Sequence, residues 1–150
     1  MTYVNFKIDT DADGIALVIW DMPGRSMNVL DEKVIEELNA LVEQVAGDAA
    51  IKGAVITSAK EAFSAGADLN WMRAMAGADE STNREDSLHL AALMRTLNFL
   101  SKPTIARVNG SAYGGGVGLL ACCDVAIGCE SATFSLGEVK LGLVPAVISP

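Results

Sequence analysis

The chain has 150 residues, of which 51% are hydrophobic and 20% are charged, so it is long enough to bury a core and too apolar to be disordered. A net charge of −8, without any cluster of Lys or Arg, argues against nucleic acid as a partner. The sequence lacks a run of about 18 apolar residues and a leader-like start, so we expect one domain over residues 1–150, a cytoplasmic location and no membrane contact.

The cysteines argue against a metal centre. Cys122, Cys123 and Cys129 are an odd number, lie in apolar surroundings and lack a C-x-x-C spacing. The single histidine, His89, lies far from them in the sequence, so neither a zinc site nor a catalytic thiol is expected. We expect buried, reduced thiols, and we expect His89 to be a packing or surface residue.

The first half of the chain predicts a hairpin followed by a parallel crossover. Residues 3–9 alternate apolar and polar side chains, and residues 14–20 form a nearly continuous apolar run, as two paired strands would. Asp31 is a candidate N-cap for a helix that ends at Gly47, and residues 51–57 form the next strand. The order strand, helix, strand favours parallel pairing. The residues expected on the buried face of this helix are Val34, Leu38, Leu41, Val42 and Val45.

A loop of small residues follows this strand, over residues 61–70. Its small side chains leave the backbone N–H groups of Gly66 and Ala67 within reach of a ligand. The alternative is an ordinary loop that leads into a helix, with Asp68 as N-cap and Trp71 as the first helical residue.

A second amphipathic helix is predicted over residues 85–100, up to the break at Pro103. The polar stretch before it, residues 77–83, is expected to be a surface loop or a mobile lid. The residues expected on one side of the helix are Leu88, Ala91, Ala92, Met94, Arg95 and Leu97.

The glycine-rich stretch after residue 100 organises the chain. Residues 104–108 predict a strand, residues 110–116 a glycine turn, and an apolar helix follows. Each glycine inside helical backbone costs about 0.8–1 kcal/mol relative to alanine, which indicates either close approach of a ligand or tight packing of strand against helix. A helix start also offers free N–H groups to a developing anion. Short strands are expected at 124–128 and 132–135.

These two glycine-containing loops have the character of an oxyanion hole, in which two backbone N–H groups stabilise negative charge on a carbonyl oxygen. No G-x-S-x-G motif or paired Cys and His supplies a nucleophile, so proton transfer by a carboxylate is the remaining chemistry. Glu138 is the best candidate, and the alternative is a surface glutamate paired with Lys140. The neighbours expected to give it an apolar setting are Phe134, Leu136, Val139, Leu141 and Leu143.

Three segments carry a resemblance to a known family. Residues 63–69 (FSAGADL), 109–124 (NGSAYGGGVGLLACCD) and 135–143 (SLGEVKLGL) resemble the signatures of the crotonase, or enoyl-CoA hydratase/isomerase, superfamily. The resemblance implies an α/β fold, the N-terminal core of a ββα spiral of the ClpP/crotonase type. The second half is most similar to methylglutaconyl-CoA and isohexenylglutaconyl-CoA hydratases, and about the first sixty residues are more similar to a fatty-acid oxidation α-subunit. This difference suggests the hypothesis that the two halves of the chain derive from different parent proteins, as in a recombined chain.

The resemblance also implies roles for individual residues. The N–H groups of Ala67 and Gly115 would hold the thioester oxygen of an acyl-CoA, and Glu138 would transfer the proton. Coenzyme A would be part of the substrate, with no separate cofactor and no metal, and the assembly would be a homotrimer or hexamer. The residues expected to line the coenzyme A thioester are Ala65, Gly66, Ala67, Asp68, Leu69, Gly114, Gly115 and Met27.

The sequence departs from the family pattern in two ways. Gly118 stands where hydratases with two glutamates carry the first of them, and the chain is considerably shorter than typical members. We therefore expect a hydratase-type enzyme whose activity is impaired by the lack of the C-terminal helical part. The alternatives are a Δ3–Δ2 enoyl-CoA isomerase that uses one glutamate and a non-catalytic fragment that binds coenzyme A thioesters.

Overall fold

The computed structural model describes residues 2–146 and 148, which form an α/β fold built on two sheets. The larger sheet has five strands in the order β1-β2-β3-β4-β6, and β5 pairs with β7 in the smaller sheet. The strands are β1 (Phe6–Thr10), β2 (Ile15–Trp20), β3 (Gly53–Ser58), β4 (Thr104–Val108), β5 (Ala112–Tyr113), β6 (Val125–Gly128) and β7 (Phe134–Ser135).

The predicted hairpin and parallel crossover are both confirmed. Strands β1 and β2 are antiparallel, whereas the pairs β2–β3, β3–β4 and β4–β6 are parallel. Because parallel neighbours need a crossover, helices separate these strands along the chain. The helices are α1 (Glu32–Gly47), α2 (Leu69–Ala76), α3 (Glu80–Asn98) and α4 (Gly115–Ala121), and a 3-10 turn follows at Glu138–Leu141.

Helix α1 forms as its sequence pattern predicts. The Asp31 carboxylate accepts a hydrogen bond from the N–H of Val34 at 2.9 Å, which satisfies one of the free donors at the helix start. All five apolar residues of the predicted face are buried, and Ile35 joins them. The helix packs its apolar face into the core beside α3.

Helix α3 begins earlier than predicted. The carboxylate of Asp79 accepts a hydrogen bond from the N–H of Thr82 at 2.8 Å, and the helix starts at Glu80. The prediction of a loop over residues 77–83 is therefore wrong for its second half. The N-cap at Asp79 favours helix from Glu80 onward, although the side chains of this stretch are mostly polar.

The buried face of α3 also differs from the prediction. Leu88, expected on the apolar side, is 54% exposed, and Arg95 is exposed as well. The residues that face the core are Leu90, Leu93, Met94 and Leu97. These follow the i, i+3, i+4, i+7 spacing of one helical stripe, and Leu88 lies outside it.

Aromatic side chains fill the centre of the core. The rings of Phe6 and Trp20 stack with centroids 5.6 Å apart, and Phe63 meets Trp20 edge-on at 6.2 Å. All three side chains are almost fully buried. Phe63 lies near the start of the loop of small residues, so this packing anchors that end of the loop.

The expectation of buried thiols is confirmed for one cysteine only. Cys122 is buried, Cys123 is half-buried and Cys129 is exposed at the end of the edge strand β6. Burial raises the pKa of the Cys122 thiol and raises that of Cys123 to about 12.

Among the described residues, no cluster of His, Cys, Asp or Glu could hold a metal ion. No helix in the same part of the chain is long and apolar enough to cross a membrane.

Candidate active site

Backbone hydrogen bonds join three distant segments into one site. The N–H of Leu30 donates to Gly66 O, and the N–H of Asp68 donates back to Leu30 O, both at 2.8 Å. The N–H of Tyr113 donates to Ser64 O at 3.0 Å. These bonds place the loop of small residues between the segment at residue 30 and strand β5.

The third segment enters through the small sheet. The N–H of Gly114 donates to Ser135 O at 3.0 Å, which continues the parallel pairing of β5 and β7. Glu138 begins the 3-10 turn three residues after β7 ends. The pairing of two short strands therefore brings Glu138 to the start of helix α4.

Two backbone donors at this point are free. Gly115 is the first residue of α4, so its N–H has no acceptor within the helix. Ala67 lies in the loop beside Leu30, where the neighbouring residues make the bridging hydrogen bonds. Within residues 2–146 and 148, neither N–H donates a hydrogen bond, and both residues line one cavity of about 490 Å³. These are the two donors that the family resemblance implied for an oxyanion hole.

Glu138 lies against the same glycine turn. Its Oε1 is 2.8 Å from the position that a Cβ on Gly114 would take, and Gly114 has a φ of +50°. A side chain at position 114 would therefore displace the carboxylate as well as strain the backbone. The Oε2 atom of Glu138 is buried and has no hydrogen-bond partner among the described residues. A buried polar atom without a partner is rare in folded proteins and often marks a functional group.

The prediction that apolar side chains next to Glu138 in the sequence cover its carboxylate is wrong. Phe134, Leu136, Val139 and Leu143 are all exposed by more than 40%. The carboxylate is covered by the glycine backbone at Gly114 rather than by its own apolar neighbours. No ion pair between Glu138 and Lys140 forms among the described residues, so the alternative of a paired surface glutamate is not observed.

The cavity has further walls that sequence reasoning missed. Four of these wall residues are Trp71 and Met72 of α2 and Asp86 and Leu90 of α3. One signal could have identified Asp86, since it lies four residues before Leu90 and therefore on the same helical face. The cavity is lined by Leu30, Ala65, Gly66, Ala67, Leu69, Trp71, Met72, Asp86, Leu90, Tyr113, Gly114, Gly115, Gly137, Glu138, Lys140, Leu143, Val144, Pro145, Ala146 and Ile148.

Most of the predicted site residues meet in this cavity, and two do not line it. Met27 is 46% exposed and lines a neighbouring groove of about 600 Å³, which it shares with Tyr113. Asp68 is buried and points its carboxylate into the structure of the loop. The residues brought together are Ala65, Gly66, Ala67, Leu69, Gly114, Gly115 and Glu138.

Asp68 holds the loop in place. One carboxylate oxygen accepts hydrogen bonds from the N–H groups of Asn70 and Trp71 at 2.8 and 3.0 Å, which confirms the predicted N-cap of α2. The other oxygen lies 2.6 Å from Nη1 of Arg25. The N–H of Trp71 and then the Arg25 guanidinium lower the pKa of the Asp68 carboxyl against the opposing effect of burial.

We expect Asp68→Ala to lower the free energy of unfolding by about 1–2 kcal/mol at pH 7, because the cap of α2 is lost. Since the folded-state pKa of Asp68 is lowered, its contribution is present above the ordinary carboxyl pKa and is lost as the pH falls through the lowered value. The difference from wild type should therefore shrink below about pH 4. Urea unfolding at several pH values measures it, with the exposed turn residue Asp13 replaced by Ala as control. A difference that stays constant down to acid pH would contradict this role.

Gly118 stands where hydratases with two glutamates carry the first of them, and its surroundings are tightly packed. A Cβ on Gly118 would stand 2.8 Å from the carbonyl oxygen of Ile148 and 3.1 Å from Cε of Met94. A side chain at position 118 would therefore require the backbone at Ile148 and the end of the Met94 side chain to shift. The carboxyl groups that line the cavity are those of Asp86 and Glu138.

Comparison with known proteins decides the family. The family described as Enoyl-CoA hydratase/isomerase matches residues 10–149, which is nearly the whole chain. This chain belongs to the enoyl-CoA hydratase/isomerase family. Its α/β fold is the crotonase-like fold of that family, as the resemblance of its motifs implied.

Relatives match along most of the chain. The fatty acid oxidation complex subunit alpha of Idiomarina loihiensis is 35% identical over 147 residues, covering 93% of this chain and 20% of that protein. The crystal structure of an enoyl-CoA hydratase from Shewanella pealeana is 41% identical, with a TM-score of 0.92, over 97% of this chain and 54% of the other. An enoyl-CoA hydratase from Bacillus anthracis is 31% identical, with a TM-score of 0.84, over 95% and 54%. The chain therefore spans about half the length of these crotonase-family hydratases.

Proposed function

We propose that this crotonase-family chain adds water to an α,β-unsaturated acyl-CoA thioester. The observation that carries the proposal is the meeting of three groups in one cavity: the free N–H groups of Ala67 and Gly115 and the unpartnered carboxylate oxygen of Glu138. Two convergent donors suit a thioester oxygen that gains negative charge during the reaction. A carboxylate beside them suits proton transfer at the adjacent carbons.

A single carboxylate suffices for this reaction. Water forms a bond from its oxygen to C3 of the enoyl group and gives one proton to the Glu138 carboxylate. The electrons of the C2–C3 double bond shift towards the carbonyl, and the enolate oxygen receives the hydrogen bonds from Ala67 and Gly115. Glu138 then returns the proton to C2, which restores the carboxylate and the thioester carbonyl.

Isomerisation of a Δ3-enoyl thioester to its Δ2 isomer is the second candidate, and the tight packing around Gly118 favours it. Here Glu138 takes a proton from C2 and returns it to C4 of the resulting dienolate, and no water needs to be held. The same two N–H groups would stabilise the dienolate oxygen. A third candidate is binding of the thioester without catalysis.

Product analysis separates these candidates. We expect the purified chain to convert crotonyl-CoA into the hydroxyacyl thioester, with a fall in the absorbance of the conjugated double bond. Formation of the Δ2 thioester from a Δ3-enoyl-CoA, without hydration, would replace the first proposal by the second. Tight binding of both thioesters without any product would support a binding role.

Assembly and location belong to the same proposal and rest on the family resemblance and on the fatty acid oxidation relatives. We propose a homotrimer or hexamer in the cytoplasm. The methylglutaconyl-CoA branch, suggested by the motifs of the second half, is one candidate for the acyl group. Because a glutaconyl chain ends in a carboxylate, it competes with the acyl group inferred below, and tighter binding of a dicarboxylic thioester would favour it.

A further inference from the structure

Asp86 is the second acidic group on the wall of the proposed active-site cavity. It lies on α3 and lines the cavity of about 490 Å³ together with Glu138, Ala67 and Gly115. It also lines an adjoining cavity of about 650 Å³ between α2 and α3. Asp86 therefore stands where the two cavities meet. An acyl chain that leaves the oxyanion hole towards α2 and α3 passes its carboxyl group.

Asp86 has mostly apolar neighbours in these two cavities, although it also lines a polar groove with Glu32, Glu36 and His89. Trp71 and Met72 of α2 line both cavities with it, and Leu90 follows one turn later on α3. In pockets of this kind a few polar groups among apolar side chains decide which ligand is accepted. Asp86 is such a polar group in the wall of this cavity.

The carboxyl of Asp86 retains capacity to accept hydrogen bonds. The Trp71 side chain lines both cavities beside it, and no Lys or Arg forms an ion pair with it within the described part of the chain. A carboxylate offers about four acceptor positions, so even a hydrogen bond from the indole would leave most of them open. A donor on the ligand could therefore bind there without displacing a protein contact.

The charges around Asp86 define which ligand groups it would reject. Glu32 of α1 faces it with like charge, and His89 lies one turn further on α3. Burial and then Glu32 raise the pKa of the Asp86 carboxyl, while His89 and the Trp71 hydrogen bond oppose the rise. An ionised carboxylate on the ligand would meet Asp86 and Glu138 on the cavity wall, and Glu32 adds like charge from the groove on which Asp86 also lies. Arg73 and Lys140, the cations among the lining residues, are both exposed to solvent.

We propose that Asp86 is a specificity-determining residue that selects acyl-CoA thioesters whose acyl chain carries a hydroxyl group, or another neutral hydrogen-bond donor, beyond the reacting carbons. The proposal rests on the binding of an acyl-CoA thioester proposed above. It adds the chemical class of the acyl group. A purely aliphatic chain leaves the Asp86 carboxyl without that partner, and a chain that ends in a carboxylate is repelled.

Calorimetric binding of three saturated thioesters tests this class directly: hexanoyl-CoA, ω-hydroxyhexanoyl-CoA and hexanedioyl-CoA. We expect the hydroxylated ligand to bind about tenfold more tightly than hexanoyl-CoA, as a hydrogen bond to a charged group allows. The preference should vanish in Asp86→Ala and persist in Glu85→Ala, which changes the exposed preceding residue. Asp86→Asn keeps an acceptor without charge, so it should retain part of the preference and bind hexanedioyl-CoA better than wild type does.

Each contrary result has a distinct meaning. An unchanged preference in both Asp86 variants overturns the role of Asp86, and a wild-type preference for hexanedioyl-CoA overturns it in favour of Arg73 as the determinant. Failure of all three ligands to bind overturns this inference and the proposed function together. A hydroxyl preference without any hydration of crotonyl-CoA keeps the inference and overturns only the proposed reaction.

Discussion

Replacing Glu138 with Gln is expected to lower kcat for water addition by a factor of about 10²–10⁴, the usual contribution of a positioned general acid–base group. Gln is similar in size and shape to Glu, so the glycine turn at Gly114 can keep its conformation. The amide cannot accept a proton from water or return one to C2. In the proposed mechanism the thioester is bound by the N–H groups of Ala67 and Gly115 rather than by Glu138, so KM should change little.

The control for this substitution is Glu130→Gln, which removes the same charge from an exposed position outside the cavity. Its kcat should match that of the wild type. Activity that survives in Glu138→Gln would show that another group transfers the proton. Asp86 would then be the next residue to replace, because it is the other acid on the cavity wall.

Removal of one oxyanion donor is expected to have the second largest effect. Gly115→Pro deletes the N–H at the first position of α4, where proline is well tolerated. Loss of one donor of an oxyanion hole typically lowers kcat by about 10²–10³. The preceding Gly114, at φ +50° and ψ −124°, mirrors the extended conformation that precedes proline, and glycine can adopt either form.

Gly115→Ala is the matched control for this loss. A Cβ at position 115 would stand 2.5 Å from Cδ1 of Leu30, so both variants require the same movement of the Leu30 side chain. Only the proline variant also lacks the N–H. We expect Gly115→Ala to keep far more activity than Gly115→Pro, while circular dichroism verifies that both fold. Equal activity of the two variants would contradict a catalytic role for this N–H.

The candidate site was predictable where each loop carries its own signal. The small residues before Asp68 and the glycines before α4 identify two places where backbone N–H groups can be left free, and the structure places both in one cavity. The family motifs connected these places with Glu138. The acid on α3, Asp86, was missed because its one signal, a position four residues before Leu90, is weak within a polar helical sequence.

Some errors of prediction have a common physical origin. Leu88 was assigned to the buried side of α3, although burial depends on which stripe meets α1 and the sheet. The apolar residues around Glu138 were expected to cover it, although the glycine turn covers it instead. In both cases the local sequence offers apolar surface, and contacts between distant segments decide how it is used.

Local sequence patterns were enough to predict the hairpin, the helix after Asp31, the cap at Asp68 and the glycine-rich start of α4. These elements depend on side-chain periodicity and capping, which act over a few residues. Which groups share a cavity follows instead from tertiary contacts. The meeting of Ala67, Gly115 and Glu138 depends on the pairing of β5 with β7, and the tight packing around position 118 depends on Ile148 and Met94. Such contacts join residues far apart in sequence, so no short segment encodes them.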